Sequence, residues 1–177
     1  MERSSDGDLA QAPTSGAHHL VRYVQHTRRE LRRAVEGMSI ADLEHRVGGL
    51  NSVAWIVGHL AWQEQTYWLT ARGEPAVADL DAFGHGEPAA AADFETVYQA
   101  WQRVTATADV WLAGLDEAAL HTHVHGRSLF ERENVGTLLT RVSGHYYLHI
   151  GQITAIRKLL GYPVPPFVGS QAGAMYD

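Results

Sequence analysis

Apolar residues recur at steps of three and four in four separate stretches of the chain, the spacing of helices that bury one face. Leu20, Val24, Thr27, Leu31, Val35 and Met38 form the first stripe, with arginines and glutamates between them, and predict a helix over residues 16–37. The second stretch, VAWIVGHLAWQEQTYWLTA, follows Asn51 and Ser52, either of which is a good N-cap, and predicts a helix over 51–72. Asp93 caps a third helix over 93–115, whose stripe is Phe94, Val97, Tyr98, Trp101, Val104, Ala108, Leu112 and Leu115. Asn134 opens the fourth, which runs to Leu160, where Gly161 and Pro163 supply a stop signal.

Four helices of this length predict an all-α four-helix bundle. The segment between the second and third helices, GEPAVADLDAFGHGEPAAAA, is rich in Gly, Pro and Ala and has no period. Loops that long are uncommon in compact domains unless function or topology requires them, and a long crossover leaving helices two and three parallel would be such a requirement. Between helices three and four, HTHVHGRSLFERE alternates in type around a glycine, the pattern of a short β-hairpin. Neither an internal repeat nor a second domain is apparent. The expected layout is one domain over 15–166, with loosely held tails over 1–14 and 167–177.

Composition narrows the function classes. With 177 residues, 45% of them hydrophobic and 19% charged, the chain has an ordinary globular make-up. No window approaches the roughly 18 uninterrupted apolar residues of a membrane span, and the first residues lack the apolar core of a signal peptide, so the cytoplasm is the expected location. A net charge of −6 argues against a nucleic-acid partner. The basic cluster Arg28, Arg29, Arg32 and Arg33 is interrupted by Glu30 and reads as a solvated face. Cysteine is absent, which removes disulfides, thiolate ligands and a cysteine nucleophile together. Histidine stands out, with 11 in a chain that carries a single lysine.

Two of those histidines sit in GHYYLHIGQ, residues 144–152. At about 100° per residue, with Leu138 as zero, His145 falls at roughly 340° and His149 at roughly 20°, beside Val142 at roughly 40° and Ile156 at about 0°. Both therefore lie mid-stripe and face the bundle core. A buried imidazole without a partner costs several kcal/mol, so each must be a hydrogen-bonded core residue or a ligand. Side by side at i and i+4, the pair has the spacing one metal ion needs from two nitrogens, as in bundle-core metal sites. It is not a metalloprotease motif, because Tyr146 stands where that motif needs a glutamate. A third ligand should come from another helix. His59, in IVGHLAW, is the histidine best embedded in an apolar helix, but that helix carries large apolar residues almost all round and periodicity does not orient it.

NSVAWIVGHLAWQEQTYW and TLLTRVSGHYYLHIGQITAIRKLLGYP together resemble the DinB/YfiT-like superfamily, over roughly Leu20 to Pro163. That resemblance implies a small four-helix bundle with a long crossover, in which one histidine of helix two and two residues of helix four hold a divalent metal; here these are His59, His145 and His149. Some relatives, including those resembling mycothiol-dependent maleylpyruvate isomerase, have glutamate at the first helix-four position. His145 points instead to the all-histidine, YfiT-like branch. Three neutral imidazoles suit zinc or nickel, with iron or manganese as alternatives. The resemblance further implies a thiol S-transferase that activates a low-molecular-weight thiol of the mycothiol or bacillithiol type, and a homodimer. Two other readings remain open: a metal-dependent hydrolase of a small amide or ester, and a non-catalytic module binding a small ligand at the metal.

Around this set, Gln152 is placed to orient a histidine or a bound water, and also fits as an edge-of-core residue. Glu64 is a weak acid/base candidate that reads more simply as solvated, and Tyr146 and Tyr147 read as aromatic packing. On an extended strand, His121, His123 and His125 would share one face and form a rival ligand cluster. His18 and His19 read as solvent-exposed.

Overall fold

The computed structural model describes residues 16–124, 132–166 and 171. Four long helices pack around one apolar core: α1 (His19–Val35), α3 (Val53–Trp68), α4 (Phe94–Leu112) and α6 (Val135–Leu159). The expected caps hold three of them. The Ser52 hydroxyl accepts from Trp55 N at 3.2 Å, the Asp93 carboxylate from Thr96 N at 2.8 Å and the Asn134 side chain from Thr137 N at 2.8 Å. α1 instead uses His18, half-buried, whose Nδ1 accepts from Leu20 N at 3.2 Å. No helix among the described residues is long and apolar enough to cross a membrane.

Two short helices lie in the connections: α2 (Ile40–Glu44), capped by Ser39, and α5 (Glu117–Leu120), capped by Asp116. Each is about one turn, below the length at which an apolar period can be read. The helix expected to reach residue 72 ends as α at Trp68, and its last turn, Thr70–Arg72, is 3-10. Of the expected hairpin, the described residues contain one isolated antiparallel bridge, between His123 and Asn134; residues 125–131 lie outside the described part of the chain.

α3 is the central element. Every residue from Val53 to Trp68 except Trp62 is buried, so this helix has no solvent face. That enclosure explains why its sequence carries no orienting stripe. It also forces the polar residues of α3 to find partners inside.

Glu64, fully buried, meets Arg28 of α1 in a fork: Arg28 Nε donates to Glu64 Oε1 at 2.9 Å and Nη2 donates to Oε2. The remaining arm of Arg28 donates to Asp109 of α4 at 2.6 Å. Tyr146 of α6 donates to Glu64 Oε1 at 2.5 Å and accepts from Trp101 Nε1 of α4 at 2.7 Å. One polar network thus joins all four long helices. Arg28 and Glu64 depart from the sequence expectation of solvated positions. Burial alone would lower the Arg28 pKa, but Glu64 and Asp109 more than offset it and the guanidinium stays charged. At the far end of the bundle, buried Arg157 of α6 donates to Ala34 O at 3.0 Å and Glu36 O at 2.8 Å, satisfying the C-terminal carbonyls of α1.

Removing the charge of Glu64 would leave buried Arg28 with Asp109 as its one carboxylate partner among the described residues and break the fork. Glu64→Gln should therefore destabilise the fold by roughly 3–5 kcal/mol in urea unfolding, whereas Arg141→Ala, which breaks the more exposed pair with Glu133, should cost under about 1 kcal/mol.

Candidate metal centre

One residue before Glu64 on α3, and one before Tyr146 on α6, the chain places side chains that meet at the candidate centre. His59 reaches it from α3, His145 and His149 from α6. His59 and His149 are buried and His145 is half-buried. The His59 ring is sandwiched on its own helix between Trp55, four residues earlier at 5.0 Å and 9° between planes, and Trp62, three residues later at 5.7 Å and 17°. The two histidines of α6 stand side by side with ring centroids 4.4 Å apart, as their i and i+4 spacing requires.

Each ring is held from behind by an oxygen. His59 Nδ1 donates to the Phe83 carbonyl at 2.7 Å. His145 Nδ1 donates to Gln63 Oε1 at 2.7 Å, and His149 Nδ1 to Gln152 Oε1 at 2.8 Å. The Gln63 side chain also hydrogen-bonds Tyr67. An oxygen of this kind only accepts, so all three Nδ1 atoms carry the ring proton and all three Nε2 atoms present bare lone pairs. Those lone pairs face one another: His145 Nε2 lies 3.3 Å from His59 Nε2 and 3.0 Å from His149 Nε2.

Without a proton between them, three converging lone pairs repel, and a cation relieves the repulsion. The spacing fits. Metal–imidazole bonds of about 2.0–2.1 Å at tetrahedral angles put ligand nitrogens about 3.3 Å apart. The three residues form a group that could hold a metal ion, each offering one ligand atom and all within 4.8 Å of one another. The donors are nitrogens throughout, which suits a borderline divalent ion better than a hard one such as magnesium.

The electrostatics agree with neutral ligands. Burial, then the neighbouring His149 and His59, pushes the His145 pKa down to about 3. Burial pushes His149 down to about 4, against the opposing hydrogen bond from Gln152, and lowers His59 as well.

Of the other sequence candidates, Gln152 does hold one of the three histidines, His149. Glu64 is absorbed by Arg28 and Tyr146 and is not free for proton transfer. The rival cluster is not assembled among the described residues: His121 and His123 are exposed, His121 pairs with Glu117 at 3.5 Å, and His125 lies outside the described residues. Sequence reading missed Gln63 and Phe83. Gln63 follows His59 by four residues, a spacing that could have marked it; the Phe83 contribution is a backbone carbonyl and leaves no trace in residue type.

The lowered histidine values set a pH dependence for the metal-free protein. Between about pH 3 or 4 and the ordinary histidine value of 6.5, the unfolded chain binds protons on His145 and His149 that the folded chain refuses. Stability therefore rises with pH across that window and is lost as pH falls below about 6.5. In chelator, the melting temperature should be lower at pH 5 than at pH 7.5, and His145→Asn should flatten that dependence.

No curated protein matches the sequence. Residues 23–153 match the family model of the DinB superfamily. That span holds three quarters of the chain, from the first turns of α1 through most of α6, and includes His59, Gln63, Phe83, His145, His149 and Gln152. The chain belongs to the DinB superfamily.

Proposed function

We propose that His59, His145 and His149 bind one divalent ion through their Nε2 atoms, and that the protein is a metal-dependent enzyme joining a low-molecular-weight thiol, through its sulfur, to an electrophilic carbon, the S–H proton passing to solvent and the leaving group departing with its bonding electrons. The observation that carries the metal is the convergence of three imidazoles, each with an oxygen against Nδ1 and its Nε2 turned toward the other two rings. A zinc or nickel ion held there supplies a Lewis-acid centre with an open position, able to lower the pKa of a bound thiol. Superfamily membership and the three-histidine set support this reading, and the lack of any cysteine fits a thiol that arrives as cosubstrate.

The chain's own residues account for orientation. Gln63, Gln152 and the Phe83 carbonyl fix which nitrogen of each ring is free, and Trp55 and Trp62 fix the plane of His59. The indole faces also exclude water from the faces of that ring. Glu64 serves the helices and not the reaction, so the proton lost by the thiol is not taken by that carboxylate.

Titration with zinc or nickel should show one ion per chain. His149→Ala should abolish that uptake, and His123→Ala should leave it intact. A ligand that binds only the folded state raises stability by RT ln(1 + [L]/Kd), about 4 kcal/mol at a thousandfold excess over Kd. Chelator should therefore lower the melting temperature of the wild type and leave His149→Ala unmoved. Activity is read by offering the loaded protein small thiols with a chlorodinitrobenzene-type electrophile; a protein that takes up metal yet consumes no thiol retains the centre and loses the transferase.

A further inference from the structure

The segment between α3 and α4 is long but not slack, because it is fastened back along α3. Buried Gln65 grips it first: its Oε1 accepts from Val77 N at 2.9 Å and Ala78 N at 3.1 Å, and its Nε2 donates to Ala78 O at 2.9 Å. Leu80 is then buried in the core, and the short 3-10 turn Asp81–Phe83 follows. The chain thus retraces α3 in reverse, with residues 77–78 against Gln65 and Phe83 against Gly58 and His59. At the last contact the Phe83 ring lies on the bare backbone of Gly58. A Cβ at position 58 would stand 2.6 Å from Phe83 Cδ1 and 2.8 Å from Cγ, inside any tolerable contact.

We infer that Gly58 and Phe83 are positioning residues for the metal centre: the ring of Phe83 seats in the notch left by Gly58 so that its own carbonyl reaches His59 Nδ1. Gly58 has no other evident use. It lies mid-helix with ordinary helical backbone, where alanine would be the better helix former. The carbonyl it admits keeps the proton on Nδ1 and so keeps Nε2 free for a ligand bond. Seating of the segment and binding of the ion are therefore linked, and by reciprocity the ion holds the segment down. This inference rests on the three-histidine centre proposed above.

The test compares zinc affinity, by competition with a chromophoric chelator, in the wild type, Gly58→Ala, Phe83→Ala and the double variant. Losing an outer partner of a metal-bound histidine weakens binding by about 10–100-fold, and each single variant should show a loss of that size. The double variant should fall no further than Phe83→Ala, because the methyl added at position 58 then has no ring to strike; such non-additivity is the mark of direct contact. Melting in chelator reads the fold separately, and Gly58→Ala should melt no lower than Phe83→Ala. Limited proteolysis adds a readout free of affinity: zinc should protect residues 74–92 in the wild type and not in either single variant. Wild-type affinity in both single variants, or penalties that add in the double, would overturn the positioning role while leaving the centre intact. A wild type that takes up no zinc overturns the centre itself.

Discussion

The fork between Arg28 and Glu64 is the constraint on which the rest of the molecule depends. Removing two charges from water costs several kcal/mol each, and only close, saturated geometry repays it. Here both carboxylate oxygens and three guanidinium nitrogens are used, and the partners come from α1, α3, α4 and α6. Apolar contacts between helices tolerate small slides and rotations, whereas a forked ion pair does not. The network therefore sets the rotation and height of each long helix relative to the others. The candidate centre inherits that register, because Gln63 precedes Glu64 and His145 precedes Tyr146.

How much of this was legible follows from which surfaces each helix presents. α1, α4 and α6 each have a wet side, so apolar period located them, and in α6 the same count turned His145 and His149 inward. α3 has no wet side, and its pattern fixes that it is a helix without fixing how it is turned. The direction of His59 and the role of Gln63 are consequences of that rotation, and the burial of Glu64 is a consequence of the enclosure itself, so none of them shows in the pattern. Resemblance to a family selected His59 where periodicity could not. Arg28 was misread for a related reason: in an arginine-rich stretch, residue type alone does not say which guanidinium turns inward.

The oxygens behind the three imidazoles are amide and peptide oxygens, where a carboxylate often stands behind a metal-bound histidine. A carboxylate there would add negative charge and strengthen each nitrogen as a base. Neutral acceptors fix the tautomer without that charge, so an ion bound to this set would keep nearly all of its +2 for whatever occupies the remaining position. In a chain of net charge −6, a bound ion would make the candidate centre a small region of opposite sign, felt only within a Debye length of about 8 Å at physiological salt.

The enclosure of α3 has a consequence for the chain before it folds. From Val47 to Gln63 there is no Asp, Glu, Lys or Arg, and the stretch SVAWIVGHLAW contains neither a proline nor a charge to discourage pairing between chains. In the native state this segment is buried along nearly its whole length. In an unfolded or half-assembled chain it is an adhesive strip with nothing to gate it. The same helix that carries His59 is thus the one whose exposure would favour association between unfolded chains, so the uncovering of α3 is the step at which unfolding would become hard to reverse.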